Sequence, residues 1–139
     1  MRVFLDANIL FSAAQEGSPV RQMLDALGEH VVLVSSPYAI TEAQRNVTSK
    51  RPDWVPGLGE LLEGITTESG QAQCGDVLLH EGDRPILAAA VHAECTHLLT
   101  GDFRHFGPLM GRTIHGVTIV STRMLAGDMV SKGWIRKRP

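Results

Sequence analysis

MRVFLDANIL, residues 1–10, contains a short apolar run, Val3-Phe4-Leu5, that ends directly at an acidic residue, Asp6. Consecutive apolar residues without polar alternation are typical of a strand buried on both faces, as in a parallel sheet. Because Asp6 also precedes Ile9-Leu10-Phe11, we expect its carboxylate to be partly buried, where an unpaired charge is costly. The segment therefore predicts the first strand of the fold and a carboxylate with a role at its end.

Short apolar runs alternate with helical patterns along the rest of the chain, which predicts an α/β fold around a largely parallel sheet in the order β-α-β-α-α-β-α-β-β-α. Serine before proline signals two of the helix starts. Residues 69–82, with Val77-Leu78-Leu79, give no clear pattern. After the first strand we expect helix Ser18–Gly28, strand Val31–Val34, a helix from Ser36, a short helix within Pro52–Gly64, strand Ile65–Thr67, helix Asp83–Cys95, strands His97–Thr100 and Val117–Val120, and a last helix capped by Ser121 or Thr122.

The composition is that of a folded chain. Its 139 residues are 43% hydrophobic and 20% charged, which suits one domain over residues 1–139 and excludes low-complexity disorder. No apolar run reaches the ~18–20 residues of a membrane span, and the N-terminus lacks a signal-peptide stretch. Cys74 and Cys95 lack C-x-x-C spacing, so reduced thiols are favoured over a disulfide. We expect a soluble cytoplasmic protein without membrane contact.

Acidic residues recur where an open parallel sheet binds ligands, outside the carboxyl ends of its strands. Asp6 and Asp102 follow two predicted strands, whereas Glu42 and Asp83 lie near the starts of helices that border the same edge. Four convergent carboxylates would repel one another unless a cation offset their charge. Mg²⁺ and Mn²⁺ prefer oxygen ligands and act on phosphate esters, so a divalent-ion site for phosphate chemistry is predicted.

Three of these carboxylates have simpler alternatives. Asp83 is also a good helix N-cap, Glu42 an ordinary solvated helix residue, and Asp102 a turn residue after Gly101. Asp6 alone is hard to explain without a functional role, because it follows a buried strand.

The charge balance limits the classes of nucleic-acid-binding protein that remain. Thirteen Lys and Arg stand against fifteen Asp and Glu, a net charge of -2 with a pI near 6.3. This balance excludes a protein that binds many phosphates through bulk electrostatics. It does not exclude an enzyme that acts on phosphate esters, because fifteen acidic residues minus the four of the predicted pocket leave eleven, against thirteen basic ones.

Four segments together resemble the PIN-domain ribonucleases, which include VapC-like toxins of type II toxin–antitoxin pairs. They are FLDANIL, TEAQ, DRPILAAAV and LLTGDFRHF, in this order, and the resemblance covers residues 2 to about 120. It implies a PIN-like three-layer α/β/α sandwich with a mostly parallel central sheet and a pocket for Mg²⁺ or Mn²⁺. It implies further that the metal-binding and catalytic residues are Asp6, Glu42, Asp83 and Asp102, supported by Asn8 and Thr100.

One position departs from the pattern of this family. Many such toxins have a further acidic residue three positions after the equivalent of Asp102, where this chain has His105. His105 could contact substrate phosphate, act as a weak ligand, or be an ordinary loop histidine. Arg45, Arg84 and Arg104 are candidate phosphate contacts, or else ordinary surface arginines.

The resemblance implies a metal-dependent endoribonuclease. In-line attack of water at such a metal site would leave 5′-phosphate and 3′-hydroxyl ends. The resemblance also implies an RNA substrate, a cognate antitoxin protein and a homodimer. Apolar residues of the early helices are candidates for the antitoxin interface, although burial in the core explains most of them equally well: Leu10, Phe11, Met23 and Leu27.

Two alternatives remain at this point. A phosphoaspartyl phosphatase or receiver-like domain would need a lysine near the site, and Lys50, Lys132 and Lys137 follow no predicted strand. Asn8 also stands where the phosphatases have a second aspartate. A non-catalytic PIN-like module that binds RNA or protein is disfavoured by the intact carboxylate set. The histidines other than His105 show no zinc-ligand spacing.

Overall fold

The computed structural model describes residues 1–72 and 82–136. Within this part of the chain six strands form one sheet, all parallel to their neighbours except the pair formed by the last two. The strands are β1 (Arg2–Leu5), β2 (Val32–Ser35), β3 (Thr66–Thr67), β4 (His97–Leu99), β5 (Thr113–Ile114) and β6 (Val117–Val120), in the spatial order β3-β2-β1-β4-β6-β5. The mostly parallel sheet that the sequence predicts is confirmed.

Helices connect and cover these strands. They are α1 (Ala7–Ala13), α2 (Pro19–Leu27), α3 (Pro37–Lys50), α4 (Val55–Glu63), α5 (Arg84–His92), α6 (Phe103–Phe106) and α7 (Thr122–Ser131), with two short 3₁₀ turns at Pro52–Trp54 and Gly107–Leu109. None of the helices in the described ranges is long and apolar enough to cross a membrane.

The strand order reverses between β1 and β4, which fixes where a ligand can enter. The chain runs outward from β1 to β2 and β3, and then returns through α5 to β4 on the other side of β1. Leu5 of β1 pairs with Leu99 of β4, and the Asp6 amide donates to the Leu99 carbonyl at 3.1 Å. The residues that follow the two strands therefore lie side by side at the switch point.

Three helices begin as the serine signals predict. Ser18 and Ser36 accept hydrogen bonds from the amides of Arg21 and Ala39, and Ser121 accepts one from the Met124 amide. Asp83 is different, because it occupies the N-cap position of α5 but its side chain makes no capping hydrogen bond. Asp83 therefore marks the start of α5, as predicted, but its side chain is not used to cap the helix.

The structure corrects other boundaries. The sequence patterns do not predict helix α1, helix α6 or strand β5. These elements have seven, four and two residues, which is too short to show a periodic pattern. Helix α5 ends at His92 rather than Cys95, where Glu94 adopts a positive φ of 56°. The patch Val77-Leu78-Leu79, Cys74 and the basic end at Lys137 and Arg138 lie outside the described residues.

The core lies between the sheet and its helices. Leu10 and Leu27 are fully buried in it and so cannot form an interface, whereas Phe11 and Met23 are partly exposed. Trp54 packs on the ring of Phe11, with centroids 5.4 Å apart. Cys95 is a free, buried thiol, and burial raises its pKa to about 11.

Close packing of α1 against α4 depends on Gly57. A Cβ atom at this position would lie only 2.1 Å from the carbonyl oxygen of Ala14. The buried guanidinium of Arg21 secures the same contact by donating to the carbonyls of Ala13 and Gly57, at 3.4 and 3.1 Å. Since α1 begins directly after Asp6, this contact also fixes one wall of the switch point.

Gly57→Ala should destabilise the protein by about 1–3 kcal/mol, because backbone cannot yield to the added methyl group without separating the helices. The matched variant is Gly59→Ala in the same helix, where the methyl group meets open space and gains up to about 1 kcal/mol of helix propensity. Urea unfolding followed by circular dichroism measures both. Equal stability of the two variants would contradict the packing assigned to Gly57.

Candidate metal centre

The four carboxylates that the sequence singles out line one cleft at the switch point. The cleft has a volume of about 430 Å³. Asp6 reaches it from the end of β1, Asp102 from the segment after β4, Asp83 from the start of α5 and Glu42 from α3. Its other lining residues are Ala7, Asn8, Phe11, Ser12, Asn46, Lys50 and Gly101.

Asp6 is the most buried of these acids, with 4% of its surface exposed. Its Oδ1 accepts a hydrogen bond from the Ala7 amide at 2.7 Å, and its Oδ2 accepts one from the Thr100 hydroxyl at 2.8 Å. The pKa of Asp6 is raised from 3.8 to about 6. Burial is the main cause and the nearby charge of Asp83 adds to it, while the hydrogen bonds from Thr100, Ala7 and Asn8 oppose both effects. A carboxylate held in this way favours a bound cation.

Asn8 and Thr100 connect the two central strand ends. Asn8 donates through Nδ2 to Asp6 Oδ2 at 3.1 Å and accepts from the Gly101 amide through Oδ1 at 2.7 Å. The Thr100 hydroxyl oxygen accepts from the Asp102 amide at 3.1 Å while donating to Asp6. The two side chains therefore hold the Asp6 carboxylate in one orientation and fix the turn that carries Asp102.

The structure places His105 between two of the acids. Its Nδ1 lies 2.7 Å from Asp83 Oδ2 and 2.8 Å from Asp102 Oδ2, and the Asp102 side chain also accepts from the His105 amide at 3.1 Å. His105 is half-buried and contacts both acids, which favours a role for it beside them over that of an isolated loop histidine.

The face of α3 that borders the cleft contains two residues that sequence reasoning missed. Asn46 and Lys50 follow Glu42 at intervals of four residues, so the three share one face of the helix. Lys50 therefore lies near the carboxylates although it follows no strand. The spacing was visible in the sequence, but only the placement of α3 shows that this face borders the cleft.

The three arginines proposed as phosphate contacts do not line the central cleft. Arg45 lines a neighbouring depression with Tyr38, Thr41 and Glu42. Arg84 and Arg104 are exposed and are not part of the lining of the central cleft.

The donor atoms suit a divalent cation. One oxygen each from Asp83 and Asp102 and one nitrogen of His105 lie within 4.8 Å of one another, and the carboxylate of Asp6 lines the same cleft. Carboxylate oxygens with water are the usual ligands of Mg²⁺ and Mn²⁺, and an imidazole nitrogen is also accepted by Mn²⁺. The residues present therefore fit such an ion.

Several solved structures resemble this chain. The chain is similar to VapBC2 from Rickettsia felis bound to a promoter DNA fragment, with 17% identity, a TM-score of 0.65, and coverage of 87% of this chain and 98% of that one. For VapBC-1 from nontypeable Haemophilus influenzae, the identity is 13% and the TM-score 0.59, with coverage of 87% of this chain and 98% of that one. For VapC20 from Mycobacterium tuberculosis, a toxin that cleaves the sarcin-ricin loop, the identity is 13% and the TM-score 0.51, with coverage of 73% of this chain and 92% of that one.

These likenesses show that the chain has the fold of the VapC proteins, and the predicted PIN-like α/β/α class is confirmed. No protein-family profile matches the sequence, and no curated protein matches it in sequence.

The raised pKa of Asp6 sets a pH dependence for the metal-free protein. The folded state binds the proton of the Asp6 carboxyl more tightly than the unfolded chain does. The stabilisation of the folded state by this proton is therefore complete below pH 3.8 and is lost as the pH rises through about 6. Asp6→Asn removes the ionisable group and with it this loss of stability. The free energy of unfolding of the variant minus that of wild type should therefore rise by about 2–3 kcal/mol between about pH 3.5 and pH 7.5.

Urea unfolding in EDTA across this pH range measures the difference. The control is Asp53→Asn, which removes an exposed carboxylate outside the cleft. A constant difference between Asp6→Asn and wild type would show that the Asp6 carboxylate is not destabilised by burial.

Proposed function

We propose that this protein is a metal-dependent endoribonuclease that acts in the cytoplasm as the toxin of a toxin–antitoxin pair. The observation that carries the proposal is the convergence of Asp6, Asp83 and Asp102 at the switch point of a VapC-like fold. One of the similar structures is described as an RNA-cleaving toxin, which supports RNA as the substrate class.

Asp6, Asp83 and Asp102 would hold Mg²⁺ or Mn²⁺, with Glu42 at the rim of the same cleft. A divalent ion there would polarise a phosphoryl oxygen of the scissile bond and stabilise the charge that develops as water attacks. The bond broken is the phosphodiester linkage, and water supplies the group that replaces the leaving oxygen.

The chain's own residues prepare this site. Thr100, Asn8 and the Ala7 amide fix both oxygens of Asp6, so the carboxylate needs no reorganisation when substrate binds. Glu42, Asn46 and Lys50 border the cleft along α3. We place the RNA backbone along this face, with the Lys50 ammonium on a phosphate next to the cleaved one.

The antitoxin and homodimer partners rest on the resemblance and on the similar VapBC assemblies. Met23 is the early-helix residue that fits this role best, because it lines an apolar groove of about 370 Å³ between α2 and α7. Phe11 lines the central cleft and packs on Trp54, so it fits an RNA contact at least as well as an antitoxin contact.

Phosphoaspartyl chemistry is the second candidate, because it needs a lysine near the aspartate and Lys50 lines the cleft. Against it, both Asp6 oxygens already accept hydrogen bonds from the chain and the residue is almost fully buried, which disfavours nucleophilic attack. Acetyl phosphate distinguishes the candidates, since a nuclease should form no acid-stable phosphoprotein.

Asp83→Asn should reduce the rate of RNA cleavage by about 100-fold or more, because it removes one charge that holds the ion. EDTA should abolish wild-type cleavage, and added Mn²⁺ should restore it. The matched control is Asp128→Asn, an exposed aspartate of α7 that should cleave as wild type does. Full activity of Asp83→Asn would contradict the assignment.

Lys50→Ala should raise KM for RNA about tenfold with a smaller change in kcat, because it removes a phosphate contact outside the reacting group. The dependence of log(1/KM) on log[salt] should become shallower by about one unit. Lys132→Ala, at the end of α7, is the control and should change neither quantity. An unchanged salt dependence in Lys50→Ala would remove Lys50 from the substrate path.

A further inference from the structure

We propose that His105 coordinates the divalent ion directly through Nδ1, so that the centre selects Mn²⁺ over Mg²⁺. This inference rests on the proposed function, since it concerns a ligand of the same ion. It goes beyond the carboxylate set, because a nitrogen donor stands where the resemblance leads one to expect an acid.

The distances around His105 are those of neighbouring ligands. Its Nδ1 lies 2.7 and 2.8 Å from one oxygen of Asp83 and one of Asp102. Adjacent ligands of an octahedral ion with bonds of about 2.1 Å are about 3 Å apart. The three donor atoms all lie within 4.8 Å of one another, close enough to share one ion.

The local fold holds the imidazole in this position. Asp102 caps α6 by accepting from the His105 amide, which fixes the His105 backbone one turn into the helix. Phe106, the next residue, is fully buried and anchors the helix to the core. The side chains of Asp102 and His105, three positions apart, therefore lie on the same face.

Replacing a carboxylate by imidazole changes which ion is preferred. The site loses one negative charge and gains a softer donor. Mg²⁺ prefers oxygen ligands, whereas imidazole suits transition ions, whose affinities for such sites rise from Mn²⁺ onward. The ratio of Mn²⁺ to Mg²⁺ affinity should therefore be higher here than in a variant with an acid at position 105.

Pulsed electron paramagnetic resonance of Mn²⁺ bound to the purified protein tests the proposal without any activity measurement. A nitrogen bound directly to Mn²⁺ gives a characteristic modulation of the spin echo, which we expect in the wild type. His105→Asp should keep Mn²⁺ but lose this modulation, and its ratio of Mn²⁺ to Mg²⁺ affinity should fall by about fivefold or more. His30→Asn changes an exposed histidine that stacks on Trp134 and should keep the modulation.

Each other outcome identifies what fails. Mn²⁺ bound without nitrogen modulation, or modulation that survives in His105→Asp, overturns the role of His105 and leaves the proposed nuclease intact. No Mn²⁺ binding in the wild type overturns both the ligand and the metal-dependent function. An unchanged affinity ratio in His105→Asp overturns the proposed selectivity.

Discussion

The carboxylate of Asp6 is held at the end of a central strand with almost no access to water, and a second aspartate lies near enough to raise its pKa further. Hydrogen bonds from Thr100, Asn8 and the Ala7 amide compensate part of the cost of burying this charge. A cation in the cleft would offset the part of this cost that the hydrogen bonds leave.

This constraint organises the surrounding structure. The parallel pairing of β1 with β4 places Thr100 beside Asp6, and the Thr100 hydroxyl also accepts from the Asp102 amide. Packing of α1 against α4, which Gly57 permits, fixes the segment that follows Asp6. His105 then lies between Asp83 and Asp102, with its Nδ1 within 2.8 Å of one oxygen of each.

Much of the fold could be predicted from the sequence, because apolar runs and serine caps report local preferences. Strand β1 follows from Val3-Phe4-Leu5, and Ser18 and Ser36 mark helices that the structure confirms. Helix α1 could not be predicted, because ANILFSA is too short and too apolar to show helical periodicity. The convergence of Asp83 with Asp102 could be predicted, because Asp102 follows a strand and Asp83 begins the helix before that strand. The place of Lys50 follows only from the packing of α3. The ligand roles of all these residues stay predictions.

The central claim is that the acidic cleft is a divalent-ion site, and calorimetric titration of Mn²⁺ into the EDTA-stripped protein tests it most directly. Wild type should bind Mn²⁺, and Asp83→Ala should bind it at least about tenfold more weakly, because one carboxylate of the cluster is lost. Absence of Mn²⁺ binding by wild type, or equal affinity in Asp83→Ala, would contradict the claim and favour a PIN-like scaffold without catalysis.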